Sequence, residues 1–252
     1  LLDHVVGRAN LCLLAPRSLS TDTWQHGFVV ELPANDCVIS SQSREANQVF
    51  PLRKFVDGDC LENISATFRA FLDDSFELQY SPEETLGYIY AVLNAPTYRA
   101  CFAEFLRIDF PRIPFPEAAA DFETLSVLGW ALVQAHLLRE FPRRDLARYH
   151  GAGDHRVETP RDVPAEQAVW INGSQRFAPV PADVWSFRIG GYQVLDKYLK
   201  SRKGRTLSLD EVTHIAAVAD VIAFTIEQMA RIDEAYRTAF PAQCLITPAR
   251  AR

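Results

Sequence analysis

The densest run of chemistry-bearing side chains lies between Lys197 and Arg205. Lys197, Lys200, Arg202, Lys203 and Arg205 place five cations in nine residues with no acid among them. Such a cluster can neutralise phosphates and position a duplex without reading its sequence. The plainer alternative is a solvated helix end, where cations complement the helix dipole. Gly190-Gly191 stands just upstream and permits close backbone approach to a partner. Arg17-Ser18 and the polar stretch 40–48, with Gln42, Arg44 and Asn47, offer side chains that hydrogen-bond base edges in a major groove. An ordinary polar loop is the competing reading of that stretch.

Motifs for catalysis are missing. The 11 glycines form no GxGxxG and no GxxxxGK[ST], which excludes dinucleotide and P-loop chemistry. No GxSxG nucleophile elbow occurs. The chain also lacks the Asn/Asp-Pro-Pro-aromatic motif with which N6-adenine methyltransferases hold a flipped base. The histidines at 4, 26, 136, 150, 155 and 214 are scattered. His150 and His155 near Asp154 admit a metal site, but an exposed loop is the simpler reading. Asp73, Asp74 and Glu77 have no downstream lysine of the nuclease pattern and read as solvated surface near a helix end. Five cysteines at wide spacings, with no CxxC pair, point to buried reduced thiols in a cytoplasmic protein.

These residues need elements to position them. Short β-type runs occur at Leu11–Leu14, Gly27–Leu32, Cys37–Ser40 and Val49–Val56. Ser81-Pro82-Glu83-Glu84 is a helix start with a capping box, and Leu86, Ile89, Tyr90 and Leu93 follow at helical spacing. Asn94-Ala95-Pro96 breaks that helix, and another is predicted from Thr97 to Arg107. Phe110–Pro116 is a proline-studded extended connector. A further helix is predicted from Asp121 to Glu140. Asn172-Gly173 predicts a hairpin with a type I′ turn between Val169–Ile171 and Gln175–Phe177. A short helix carries Tyr192, Leu195, Tyr198 and Leu199. Ser208-Leu209-Asp210-Glu211 is a second capping box and opens a long helix. The fold class is α+β, with β-rich portions and interleaved and C-terminal helical blocks. The divisions are a β-rich part over 1–80, a helical block over 81–148, a hairpin and loop region with C-terminal helices over 149–240, and a flexible tail over 241–252.

The 252 residues fit one large or two small domains, and 48% hydrophobic content supports a sizeable core. The chain opens without methionine, as expected of a fragment or processed product. It shows no leader and no apolar stretch of the ~18–20 residues that cross a bilayer. The net charge of −6 weighs against nucleic-acid binding as an average, although the distribution of charge matters more.

Several segments resemble the C-terminal specificity domain of the type ISP restriction-modification enzymes. They are His4–Leu14 with Arg17-Ser18, Val49–Leu52, Tyr88–Arg99, Phe105–Pro114 and Val184–Arg205, in the family's order over nearly the whole chain. The Leu93-Asn94-Ala95-Pro96 phrase is also similar to the helix that follows recognition domains in type I specificity subunits. The resemblance implies recognition of a short asymmetric duplex sequence and no catalytic centre in this chain. It implies a neighbouring methyltransferase on the same polypeptide that flips an adenine. S-adenosylmethionine, ATP and Mg would serve only the absent domains. The rival expectations are a helical docking module that couples methyltransferase and motor domains, and an independent enzyme. No membrane partner is expected.

Overall fold

The computed structural model describes residues 2–20, 24–25, 27–35, 37–38, 46–189 and 191–242. The predicted tail from 243 onward and the loop residues 39–45, including Gln42 and Arg44, lie outside them, as does Gly190. The described residues mix helices with small antiparallel sheets, the α+β class expected. The chain divides into two compact units, residues 1–137 with 228–252, and residues 138–227.

Unit 1 opens with β1 (Cys12–Pro16), β2 (Phe28–Val30) and β3 (Asn47–Pro51), which form an antiparallel sheet in the order β2-β1-β3. A hairpin of β4 (Arg53–Val56) and β5 (Asp59–Glu62) follows. The predicted run Val49–Val56 is therefore two strands, parted at Leu52. Leu52 gives its N–H to Leu11 O, and its carbonyl accepts from Asn63 N–H. Residues 37–38 of the run predicted at Cys37–Ser40 are a turn, not a strand.

Five helices follow in this unit: α1 (Ala66–Phe76), α2 (Pro82–Asn94), α3 (Pro96–Cys101), α4 (Ala103–Ile108) and α5 (Ala119–His136). The capping box at the start of α2 forms on both sides. Ser81 Oγ accepts from Glu84 N at 3.2 Å, and Ser81 N donates to Glu84 Oε2 at 2.7 Å. The single helix predicted over Thr97–Arg107 is two, because Phe102 leaves helical geometry (φ −109°, ψ 17°). The helix predicted over Asp121–Glu140 starts at Ala119 and stops at His136, since Leu138 takes a left-handed φ of 57°. The connector Phe110–Pro116 is free of helix and strand, as its prolines require.

Partners rise together along α2 and α5: Tyr80 with Glu123, Glu84 with Ser126, Tyr90 with His136. The two helices therefore run side by side in one direction. Their approach depends on glycine. A Cβ on Gly129 would stand 1.9 Å from Gly87 O, and one on Gly87 would stand 2.5 Å from Ser126 O. Phe76, Tyr80, Tyr88 and Phe122 cluster in the core with centroids 4.3–5.8 Å apart, Tyr88 stacked on Phe122 and Phe76 edge-on to Tyr80. Tyr98 donates to Arg112 O at 2.9 Å and Tyr88 donates to Pro114 O, so two buried tyrosines tie down the connector.

Unit 2 is built on a four-stranded antiparallel sheet of β6 (Arg148–His150), β7 (Arg161–Val163), β8 (Ala168–Trp170) and β9 (Arg176–Ala178), in the order β6-β9-β8-β7. Then come α6 (Ala182–Ser186), the two-residue strands β10 (Arg188–Ile189) and β11 (Tyr192–Gln193), α7 (Val194–Lys200) and α8 (Leu209–Ala239). Tyr192 belongs to β11, paired with Ile189, and not to the short helix predicted to carry it. Residues 228–239 of α8 belong to unit 1. The core here gathers Val157, Val169, Ile171, Phe177, Val180, Val184, Leu195, Leu199, Ile215 and Ile222.

The β8–β9 hairpin forms, but without the predicted type I′ turn. That turn needs positive φ at both central residues, and neither Asn172 nor Gly173 is among the positive-φ residues. Asn172 Oδ1 instead accepts from Ser174 N at 3.0 Å and Gln175 N at 2.8 Å, and Ile171 N donates to Gln175 O at 3.0 Å. The side chain folds the loop, a role open to asparagine because it mimics a backbone turn.

Candidate nucleic-acid interface

The basic run of the sequence occupies α7 and the turn that leads into α8. Leu195 and Leu199 face the core of unit 2, which turns Lys197 and Lys200 outward. Lys197 Nζ lies 4.9 Å from the centre of the Tyr192 ring. Lys200 pairs with Asp196 at 2.7 Å, one helical turn away. Gly204, at φ +82°, closes the turn, and the strand-like segment beyond it is stitched to residues 155–157. Gly204 N donates to Val157 O at 2.7 Å, Val157 N to Arg205 O at 2.9 Å, and Leu207 N to His155 O at 2.9 Å.

The five cations differ in freedom. Arg202 lies over the Tyr198 ring, with its guanidinium carbon 3.4 Å from the ring centre, and its Nε donates to Glu211 Oε1 at 2.9 Å. It also donates to Tyr198 O and Ser201 Oγ, and its side chain is only 21% exposed. These bonds make it an internal clamp. Arg205 reaches the same carboxylate at 3.4 Å but stays 62% exposed, and Lys203 is exposed with no ion pair among the described residues. Glu211 is held below the usual carboxylate range by the Ser208 N–H and then by Arg202. That same carboxylate completes the second predicted capping box, accepting from Ser208 N at 3.1 Å while Ser208 Oγ accepts from Glu211 N. Burial, then Arg202, lowers the pKa of the neighbouring His214.

The remaining sequence-derived residues scatter. Arg17 and Ser18 are exposed just after β1, and Arg17 pairs with Asp109 at 3.3 Å. Asn47 is buried at the start of β3, where its Oδ1 accepts from Val38 N at 3.0 Å. Gly191 lies between β10 and β11 in a turn, and its carbonyl accepts from Arg188. Arg17, Ser18 and Asn47 belong to unit 1, whereas Gly191 and the five cations belong to unit 2.

Around His150, His155 and Asp154 the described residues hold no group of three or more metal-ligating side chains. His155 lies in a hydrogen-bonded network with Tyr149 and Gln175, and Asp154 caps Arg156 N. Gln175 is fully buried and ties the loop at His155 to the hairpin loop at Asn172. Its Oε1 accepts from His155 N and Asn172 Nδ2, both at 2.9 Å, while Asn172 Nδ2 also reaches Arg156 O at 3.0 Å.

Charge is divided between the units. Unit 1 has 13 Lys and Arg against 20 Asp and Glu, a net of −7; unit 2 has 13 against 12, a net of +1. Ten of the 13 cations in unit 2 are exposed. The acidic average of the chain thus conceals a unit without acidic surplus.

The model of one protein family, the type ISP C-terminal specificity domain, matches residues 1–231. The chain belongs to that family. Comparison with curated proteins gives no match. Among solved structures, the type ISP specificity domain is similar to part of a DrdV–DNA complex, with a TM-score of 0.69 at 20% identity over 89% of this chain. It is similar to the ATP-dependent type ISP restriction-modification enzyme LlaBIII bound to DNA, at 0.69 and 15% over 90%. It is also similar to a nuclease-deletion mutant of the type ISP enzyme LlaGI in complex with a DNA substrate mimic, at 0.64 and 16% over 90%. At these identities the likeness is one of fold. The chain corresponds to 24%, 16% and 21% of those chains respectively.

Proposed function

We propose that this specificity domain recognises a short sequence in double-stranded DNA and presents it to an adenine-N6 methyltransferase domain of the same polypeptide. The observation that carries the reading is the exposed cationic surface of unit 2, centred on Lys197, Lys200, Lys203 and Arg205, in a member of the type ISP specificity family. Phosphate contacts from such side chains fix register and supply salt-dependent affinity. Arg17 and Ser18 are exposed and suited to a groove contact; Gln42, Arg44, Gly190 and Gly191 remain assigned by their chemistry. Arg202 orders this surface through Tyr198 and Glu211. Any sites for S-adenosylmethionine, ATP and Mg we assign to the other domains of the parent enzyme, as the family resemblance implies.

Selection from a randomised duplex pool at low salt, followed by sequencing of the retained DNA, tests the reading. Enrichment of one short motif is the expected result. Retention without enrichment, or no retention, overturns it.

A second reading, a docking module, draws on unit 1. Tyr98, Phe102, Phe105, Leu106, Ile108 and Phe110 border a cleft of about 360 Å³, with Phe105 66% and Ile108 70% exposed. A chain that binds no duplex at any salt yet binds the purified remaining domains of its parent favours that reading.

A further inference from the structure

The sheet of unit 2 has two unlike faces. Residues directly opposite in antiparallel strands share a face, and neighbours along a strand alternate. The register Tyr149↔Phe177↔Val169↔Asp162 forms one row, and its members Phe177 and Val169 are buried in the core. The next row, His150↔Arg176↔Trp170↔Arg161, must therefore point the other way. His150 and Arg161 are exposed; Arg176 and Trp170 are half-buried. Arg176 stacks on Trp170, with 4.7 Å from its guanidinium carbon to the ring centre.

A tryptophan between two arginines is more than a solvated face requires. Neither Arg161 nor Arg176 has an ion pair among the described residues, although the chain has an excess of acids. Two carboxylates of the same unit bond to other groups. Glu166 accepts from Trp170 Nε1 at 3.2 Å, and Asp145 pairs with Arg148 at 2.5 Å. Two strand spacings separate the backbones of Arg161 and Arg176, about 10 Å. Guanidinium forks match phosphate oxygens two at a time, and an indole supplies a flat apolar surface between them. We infer that this row is a second duplex contact, in which Arg161 and Arg176 hold backbone phosphates and Trp170 packs on the sugars between them. The inference rests on the DNA-recognition reading above and adds to it a surface remote in sequence from the Lys197–Arg205 run.

The test is an anisotropy titration of the full chain with random duplex over a range of salt. Arg161→Ala with Arg176→Ala weakens binding about tenfold for every sequence and flattens the log–log salt slope by about 1.8, two phosphates' worth. Lys203→Ala with Arg205→Ala is measured beside it. If that pair weakens binding while the sheet variant binds like the wild type, the inference falls and the recognition reading stands. If the wild type binds no duplex, both fall. Because Arg176 packs on Trp170, the wild-type chain is also treated with phenylglyoxal with and without duplex. Protection of Arg161 and Arg176 by DNA, read by mass spectrometry, supports the contact. Equal modification in both samples overturns it whether or not the variant folds.

Discussion

Unit 1 and unit 2 solve different problems with the same chain. Unit 1 packs Phe76, Tyr80, Tyr88 and Phe122 against two helices brought together at paired glycines. Its order comes from apolar burial, which is non-directional and tolerant of polar change outside the core. Unit 2 has strands of only two or three residues and a smaller core, and its loops are fixed by directed hydrogen bonds from Gln175 and Asn172. A unit built on polar hubs can keep much of its surface basic and loop-rich. Such a unit fails through one lost hydrogen bond, whereas the other fails through one added carbon.

The sharpest way to expose this contrast is Gly129→Val. The new side chain meets Gly87 O and Ala91 N at distances no real Cβ tolerates, so α2 and α5 must part. Unfolding in urea should show a loss of about 3 kcal/mol or more, the upper end for overpacking. Near-wild-type stability would show that the helices slide apart freely. Gln175→Ala comes next. It leaves the half-buried donor His155 N without its acceptor and Asn172 Nδ2 with Arg156 O alone, a loss of about 2 kcal/mol by the same measurement. If the loss is under half of that, the loops hold by backbone pairing alone.

Arg202 and Arg205 make a finer pair. Arg202→Ala removes the clamp and should cost about 1 kcal/mol of stability. Arg205→Ala, at an exposed contact, should leave stability within about 0.5 kcal/mol and lower DNA affinity instead. Equal effects of the two on stability would erase the distinction between clamp and contact.

A further contrast separates the units by pH. Burial, then Arg99, pushes the His136 pKa down to about 4 from an ordinary 6.5. The unfolded chain takes up a proton there before the folded one does, so stability falls as pH drops from 6.5 toward 4. Glu211 has a depressed pKa, so its contribution is present above 4.5 and is lost only below that value. His136→Gln should flatten the upper window of a stability–pH curve, and Glu211→Gln the lower one. A curve unchanged in its own window by either variant would remove that assignment.

Local signals were the legible ones. Both capping boxes, at Ser81 and Ser208, are short-range patterns and formed as read, as did the proline connector. Helix α1 is weakly marked in the sequence, because only Leu72 and Phe76 are buried on it and the Asp73-Asp74 pair interrupts its apolar residues. The row from His150 to Arg161 was out of reach for a different reason. It exists only through the pairing of β6 with β9 across 26 to 30 residues, and strands of three residues show no alternation of their own. The run Lys197–Arg205 was visible, but the sequence could not distinguish Arg202, tied down by Tyr198 and Glu211, from Lys203 beside it.

The two-residue period of the β6-β9-β8-β7 sheet also bears on how such a domain changes over generations. Positions 149, 162, 169 and 177 face inward, and substitution there is judged by packing. Positions 150, 161, 170 and 176 lie between them on the same strands and are judged by whatever they touch outside. Selection on folding and selection on contact therefore act on interleaved but separate letters of the same short segments. A library randomised at the four outward positions would sample new surfaces while its members inherit an unaltered core.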